Sequence, residues 1–119
     1  MARVPEHRSS ERKLVTWRVR VMLSNGQVLD GKTTDASPNG LGIAMPVFIR
    51  DGDQVQLAVQ VPLHNTPGKF QVITGKARVA FQVLRGNEYQ MGVEWVQVEP
   101  AKKQIIIHYL EKLSQPQRG

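Results

Sequence analysis

The amino-acid sequence predicts an all-β fold: a small six-stranded antiparallel β-barrel with one C-terminal α-helix. Three observations carry that prediction. Apolar residues recur at every second position in short runs, which is the pattern of half-buried strands. Turn-forming residues punctuate these runs at close intervals, with no helical stretch between them. The one segment with helical spacing follows the last strand. At 119 residues the chain is long enough for one modest core and too short for two. The expected organisation is an arm over residues 1–13, a barrel with its helix over 14–113, and a tail over 114–119.

Residues 1–13 are polar, include Pro5 and show no periodicity, so they are expected to be mobile without a partner. Val15, Trp17, Val19, Val21 and Leu23 then share one face of a strand, with Thr16, Arg18 and Arg20 on the other. Ser24-Asn25-Gly26 carries the Asn-Gly signal of a tight hairpin. The return strand, Gln27 to Thr34, alternates poorly. Leu41, Ile43 and Met45 alternate with Gly42 and Ala44, so the second face of that strand is small enough for a backbone or a flat ligand to approach closely. Val55, Leu57, Val59 and Val61 form the clearest alternation in the chain. Phe70 and Val72 fall on even positions and Ala77, Val79, Phe81 and Val83 on odd ones, which predicts a bulge or corner near Thr74-Gly75. Tyr89, Met91, Val93 and Trp95 form the last inward face. Pro100 suits a first helical position, and Ile105, Ile106, Tyr109, Leu110 and Leu113 recur at helical spacing before Pro116. This stripe is expected to lie on the barrel.

Composition narrows the chemistry. Sixteen Lys and Arg against ten Asp and Glu give a formal net charge of +6, which favours anionic partners. Six of the basic residues (Arg3, Arg8, Arg12, Lys13, Arg18, Arg20) precede Val21. The absence of cysteine removes disulfides, zinc–thiolate sites and thiol catalysis together. No apolar run approaches membrane-spanning length. His7, His64 and His108 are scattered over arm, loop and helix without metal-ligand spacing, so neither a metal site nor an enzyme is expected.

Two short stretches hold the remaining chemistry. Arg8-Ser9-Ser10-Glu11-Arg12 sets two arginines four residues apart, and Asp35-Ala36-Ser37-Pro38-Asn39-Gly40 is an acidic turn. Arginine forks match phosphate oxygens or the O6/N7 edge of guanine. A carboxylate accepts well from guanine's N–H groups. The plainer reading of Asp35 and Ser37 is an Asx-type turn between strands.

Arg-x-x-x-Arg followed by Asp-x-Ser-x-x-Gly, in that order, resembles the signature of the PilZ domain, a bacterial receptor for cyclic di-GMP. Gly31-Lys32-Thr33-Thr34, Leu41-Gly42-Ile43 and Met91-Gly92-Val93-Glu94-Trp95 fit that family's barrel pattern, so the resemblance covers nearly the whole chain. It implies a non-catalytic receptor with cyclic di-GMP as its ligand and no other cofactor. Arg8 and Arg12 are implied to hold phosphate and guanine, Asp35 and Ser37 to take a guanine, and Gly40 to keep that surface open. Binding is expected to fold the arm onto the barrel and so to switch an effector protein or an attached domain in exopolysaccharide (cellulose) synthesis, motility or biofilm control. The implied location is cytoplasmic, as a stand-alone adaptor or as the cytoplasmic domain of a membrane protein. The alternatives are a small nucleic-acid-binding barrel, disfavoured by few aromatics and inward-facing Trp17 and Trp95, and a protein-interaction module without a nucleotide. Neither nucleic acid nor a transmembrane segment is expected.

In the family, the residue before the first motif arginine bears on whether one ligand molecule or an intercalated pair is bound, and here it is His7. Its ordinary pKa near ~6.5 places its charge change close to neutrality, and nearby phosphates favour the cation. A ligand pair is therefore expected, with second-molecule binding weakening as pH rises from about 6 to about 8. Calorimetric stoichiometry at both pH values, with His7→Leu alongside, checks this; one molecule throughout, unchanged by the substitution, excludes His7 from the site.

Overall fold

A computed structural model describes residues 12–63 and 66–114. Six strands form a closed antiparallel barrel: β1 (Arg18–Met22), β2 (Val28–Ser37), β3 (Gly40–Met45), β4 (Gln54–Pro62), β5 (Phe70–Arg85) and β6 (Glu88–Val98), followed by the helix α1 (Pro100–Ser114). Around the barrel the order is β1-β2-β3-β6-β5-β4, and β4 closes the ring by pairing with β1. Closure leaves no unpaired strand edge in the barrel wall.

The alternation read from the sequence fills the interior. Val15, Trp17, Val19 and Val21 are buried, as are Leu41, Ile43 and Met45 of β3 and Val55, Leu57, Val59 and Val61 of β4. Each such aliphatic side chain contributes about 1.5–3 kcal/mol relative to exposure. The helix adds Ile106 and Leu110 to the same core, with Ile105 and Tyr109 packed at its margin. Tyr109 meets Trp17 edge-on, ring centroids 5.5 Å apart. The stripe therefore covers its own barrel, except that Leu113 stays about half exposed. The helix is not long and apolar enough to cross a membrane.

Three local features sharpen the reading. The Asn25-Gly26 hairpin is present: Gly26 N donates to Leu23 O and Leu23 N to Gln27 O, and Gly26 takes a positive φ of 90°. That is a three-residue loop closed by a left-handed glycine, with Asn25 Oδ1 accepting from Gln27 N at 2.8 Å. Next to Thr74-Gly75 the pairing of β5 with β4 runs without interruption from Gln54↔Arg78 to Pro62↔Phe70, but its pairing with β6 shifts between Lys76 and Ala77, with Val96 of β6 as the extra residue. A second shift, between Val79 and Phe81 with Ala80 as the extra residue, reverses the parity of β5 itself. Ile73, Ala77 and Val79 consequently point inward, while Phe70, Val72, Phe81 and Val83 are about half exposed. The first strand is also shorter than its alternation. Thr33 explains this, because its buried hydroxyl accepts from Trp17 N at 2.8 Å and donates to Val15 O at 2.7 Å, standing in for ladder bonds as the chain enters the barrel.

Thr33→Val keeps the shape but strands two buried backbone groups. It is expected to lower the unfolding free energy by about 1–3 kcal/mol, measured by urea denaturation; an unchanged midpoint would show that water replaces the hydroxyl.

Candidate functional site

The acidic turn sits where the alternation of β2 breaks. Thr33 pairs with Ile43 and Asp35 with Gly42, so two steps along β2 match one along β3 and Thr34 is the extra residue. Thr33 and Ala36 are both buried although three residues apart. Under strict alternation Asp35 would share the inward face of Thr33. The bulge turns it to the outer wall instead.

The chain entering the barrel supplies the counter-charge. Lys13 N donates to Ala36 O at 2.8 Å and Ala36 N to Lys13 O at 2.9 Å, which sets Arg12 beside Asp35 and Ser37. Arg12 Nε lies 3.1 Å from Asp35 Oδ2, and Nη2 donates to Oδ1 at 3.2 Å. This is the bidentate fork that fixes a carboxylate's orientation. Arg12 Nη1 also donates to Ser37 Oγ at 3.5 Å, and Ser37 Oγ to Gly40 O at 3.5 Å. The Arg12 and Asp35 side chains keep 43% and 24% exposure, so water screens the pair and its net contribution is about 0–1 kcal/mol.

A row of glycine backbone covered by neighbouring side chains runs beside this pair. Cross-strand partners place Asp35 opposite Gly42, Gly42 opposite Gly92, and Gly92 opposite Phe81. A Cβ at Gly42 would collide with Asp35 Oδ1, and one at Gly92 with the Phe81 ring. The carboxylate and the aromatic ring thus lie on glycine backbone at the two ends of one row. Thr34 Oγ1 borders the strip and accepts from Gln90 Nε2 at 2.5 Å. At the turn itself, Asn39 O accepts from Trp95 N at 2.9 Å. Asn39 Oδ1 accepts from Lys103 Nζ at 3.3 Å, which ties α1 to the motif.

Of the residues singled out in the sequence, Arg12, Asp35, Ser37 and Gly40 come together here; Arg8 and His7 lie outside the described residues. Gly40 has a role different from the expected one. It is not in the positive-φ region, and a Cβ there would collide with Val93 O. β6 passes over the position, so the missing side chain admits a strand and does not leave a surface open. Phe81, Thr34, Gln90 and Lys103 were not read from the sequence as site residues. Simple alternation turns Phe81 inward, and no residue pattern marks Ala80 as the bulge that reverses it. Gly92, a glycine inside a strand, was the available signal of close approach.

The sequence profile of the PilZ domain matches residues 6–112. The chain belongs to the PilZ domain family. Solved structures share this PilZ fold. The inhibitor of motility of Bacillus subtilis (MotI/DgrA) superposes with a TM-score of 0.76 at 12% identity, covering 98% of this chain and 55% of that one. YcgR from Escherichia coli in complex with c-di-GMP gives 0.64 at 17% identity, covering 88% of this chain and 46% of that one. The PilZ domain of CeSA from a cellulose-synthesizing bacterium gives 0.55 at 19% identity, covering 89% and 100%. The chain spans about half the length of MotI and of YcgR. Comparison with curated proteins finds no match.

The two kinds of contact predict opposite stability effects. Arg12→Ala should change the unfolding free energy of this PilZ domain by less than about 1 kcal/mol. Gly40→Ala should cost about 1–3 kcal/mol, because β6 must shift. Urea denaturation of both variants separates the roles; a neutral Gly40→Ala would return that position to the open surface.

Proposed function

We propose that this PilZ domain is a non-catalytic receptor for cyclic di-GMP. The observation that carries the reading is the meeting of Arg12, from the first motif half, with Asp35 and Ser37 of the second. The Arg12 fork and the Asp35 carboxylate lie 3.1–3.2 Å apart on the outer wall, next to the Gly42–Gly92 strip. A guanine entering between Asp35 and Phe81, which cover that strip, would present its N1–H and amino group to Asp35. Its face is within the reach of Phe81, which is half exposed and suited to stacking. Arg12 then exchanges part of its bond with Asp35 for phosphate or the O6/N7 edge. Support comes also from YcgR, which was solved with c-di-GMP.

The exchange is inexpensive. A screened pair worth about 0–1 kcal/mol holds the two motif halves in place until a dianionic ligand offers Arg12 stronger partners. In this reading Arg8 and His7 join from the arm, so ligand binding fixes residues 1–11 against the barrel and switches an attached domain or an effector protein. Motility and exopolysaccharide synthesis are the outputs proposed, from MotI, an inhibitor of motility, and from the PilZ domain of CeSA. The proposed location is the cytoplasm.

Calorimetry tests the receptor. Cyclic di-GMP is expected to bind with micromolar or better affinity, on the order of −8 kcal/mol. Cyclic di-AMP should bind far more weakly, because adenine offers an amino donor where guanine has O6. Arg12→Ala and Asp35→Ala should each cost about 1.5–3 kcal/mol of binding and Phe81→Ala about 1–3 kcal/mol, with folded structure retained by circular dichroism. Equal heats from the two dinucleotides, or none from either, defeat the proposal.

A further inference from the structure

A second feature of the outer wall is not used by the nucleotide site. On β1 and β2, Arg18 and Lys32 are direct cross-strand partners. Both side chains point outward and are exposed. Like charges directly opposite each other destabilise a sheet. The neighbouring pair shows the ordinary solution, Arg20 opposite Asp30 with Nε donating to Oδ1 at 3.0 Å. Among the described residues neither Arg18 nor Lys32 has such a partner, whereas Arg12, Arg20, Arg50 and Arg78 do. Their cationic groups remain available.

These two cations line a groove of about 1120 Å³, open to solvent and wider than a small-molecule pocket usually is. Leu14 and Val72 also line it, and both are unusually bare for apolar side chains, 87% and 51% exposed. Gln60 adds a neutral donor and acceptor, and Glu88 a carboxylate. The combination selects one class of occupant. A nucleic acid strand would ask for aromatic platforms or many phosphate contacts, yet no aromatic ring lines the groove and, with Arg20 paired to Asp30, Arg18 and Lys32 are the cations it offers. A bilayer presents a flat surface, which does not enter a groove. A protein segment satisfies these groups with carboxylates for Arg18 and Lys32, an aliphatic side chain for Leu14 and Val72, and a backbone N–H for Glu88.

We propose that this groove is the docking site for an acidic, leucine-bearing segment of a partner protein. It is the output surface of the domain, and it lies next to the nucleotide site: Leu14 and Arg12 belong to the same entering segment, and Lys32 stands two residues before Thr34 in β2. The like-charge pair is retained at a cost in stability because the partner supplies its counter-charge. The role of output surface rests on the receptor reading, whereas docking of the segment does not.

The test uses the full chain and a fluorescein-labelled peptide of repeating Glu-Glu-Leu, followed by anisotropy at low and moderate salt. Binding is expected, weakening as salt rises. Lys32→Glu and Arg18→Glu should each reduce affinity about tenfold. The same substitutions convert a repulsive cross-strand pair into an attractive one, so each should raise the thermal midpoint by a few degrees. Stronger folding with weaker binding is a signature that a merely structural role would not produce. Leu14→Ser should weaken binding several-fold, and Arg85→Glu, exposed outside the groove, should leave it within about twofold. A glutamine-for-glutamate peptide should not bind. The proposal is overturned by absent peptide binding, or by equal binding of wild type and Lys32→Glu. Tighter Lys32-dependent binding of a single-stranded oligothymidylate, or of phosphatidylglycerol vesicles, would overturn it in favour of those partners.

Discussion

A β-strand shows its side chains alternately to two sides, and in β2 that alternation is interrupted once, at Thr34. Everything characteristic of the site depends on this interruption. Before it, Thr33 faces the interior and clasps the entering chain through Val15 O and Trp17 N. After it, Ala36 faces the interior, and Asp35 stands on the outer wall over Gly42. One extra residue therefore lets the same strand bind the arm from within and present a carboxylate outside. Burying an unpaired carboxylate would cost far more than the ladder bond that the bulge disrupts.

The entering segment is held in two ways that differ in strength. The Lys13–Ala36 bridge and the Thr33 hydroxyl bonds are backbone-directed, and the latter are buried. The Arg12–Asp35 fork is solvent-facing and screened. A ligand can therefore rearrange the fork without dislodging the chain that carries it. This division keeps the two motif halves near one another, which lowers the ordering cost of binding. It leaves their charges open to exchange.

The helix is coupled to both halves. Tyr109 rests on Trp17, in the segment that brings Arg12 to the barrel, and Lys103 donates to Asn39 in the turn of the acidic motif. Ile106 and Leu110 anchor the same helix in the core. A change at the motif therefore meets an element with a firm hydrophobic seat and a polar contact at the turn. The outer groove lies on the opposite flank of the entering segment, so one short stretch, residues 12–20, touches nucleotide site, helix and groove.

Local pattern alone determined much of this protein. Period-two runs specified β1, β3 and β4 and their buried faces, because burial on one side of a strand is a property of neighbouring residues. The helical stripe from Ile105 to Leu110 specified α1 in the same way. The order of Arg-x-x-x-Arg and Asp-x-Ser-x-x-Gly pointed to the family and to Arg12, Asp35 and Ser37 as neighbours. Tertiary structure alone decided where alternation fails, at Thr34, Ala80 and Val96, since a bulge is set by the register of the partner strand and leaves no fixed mark in its own residues. It moved Phe81 and Val72 outward, assigned Gly40 to strand packing, and set Arg18 opposite Lys32. Each of these depends on what stands across the sheet, which a linear reading does not contain.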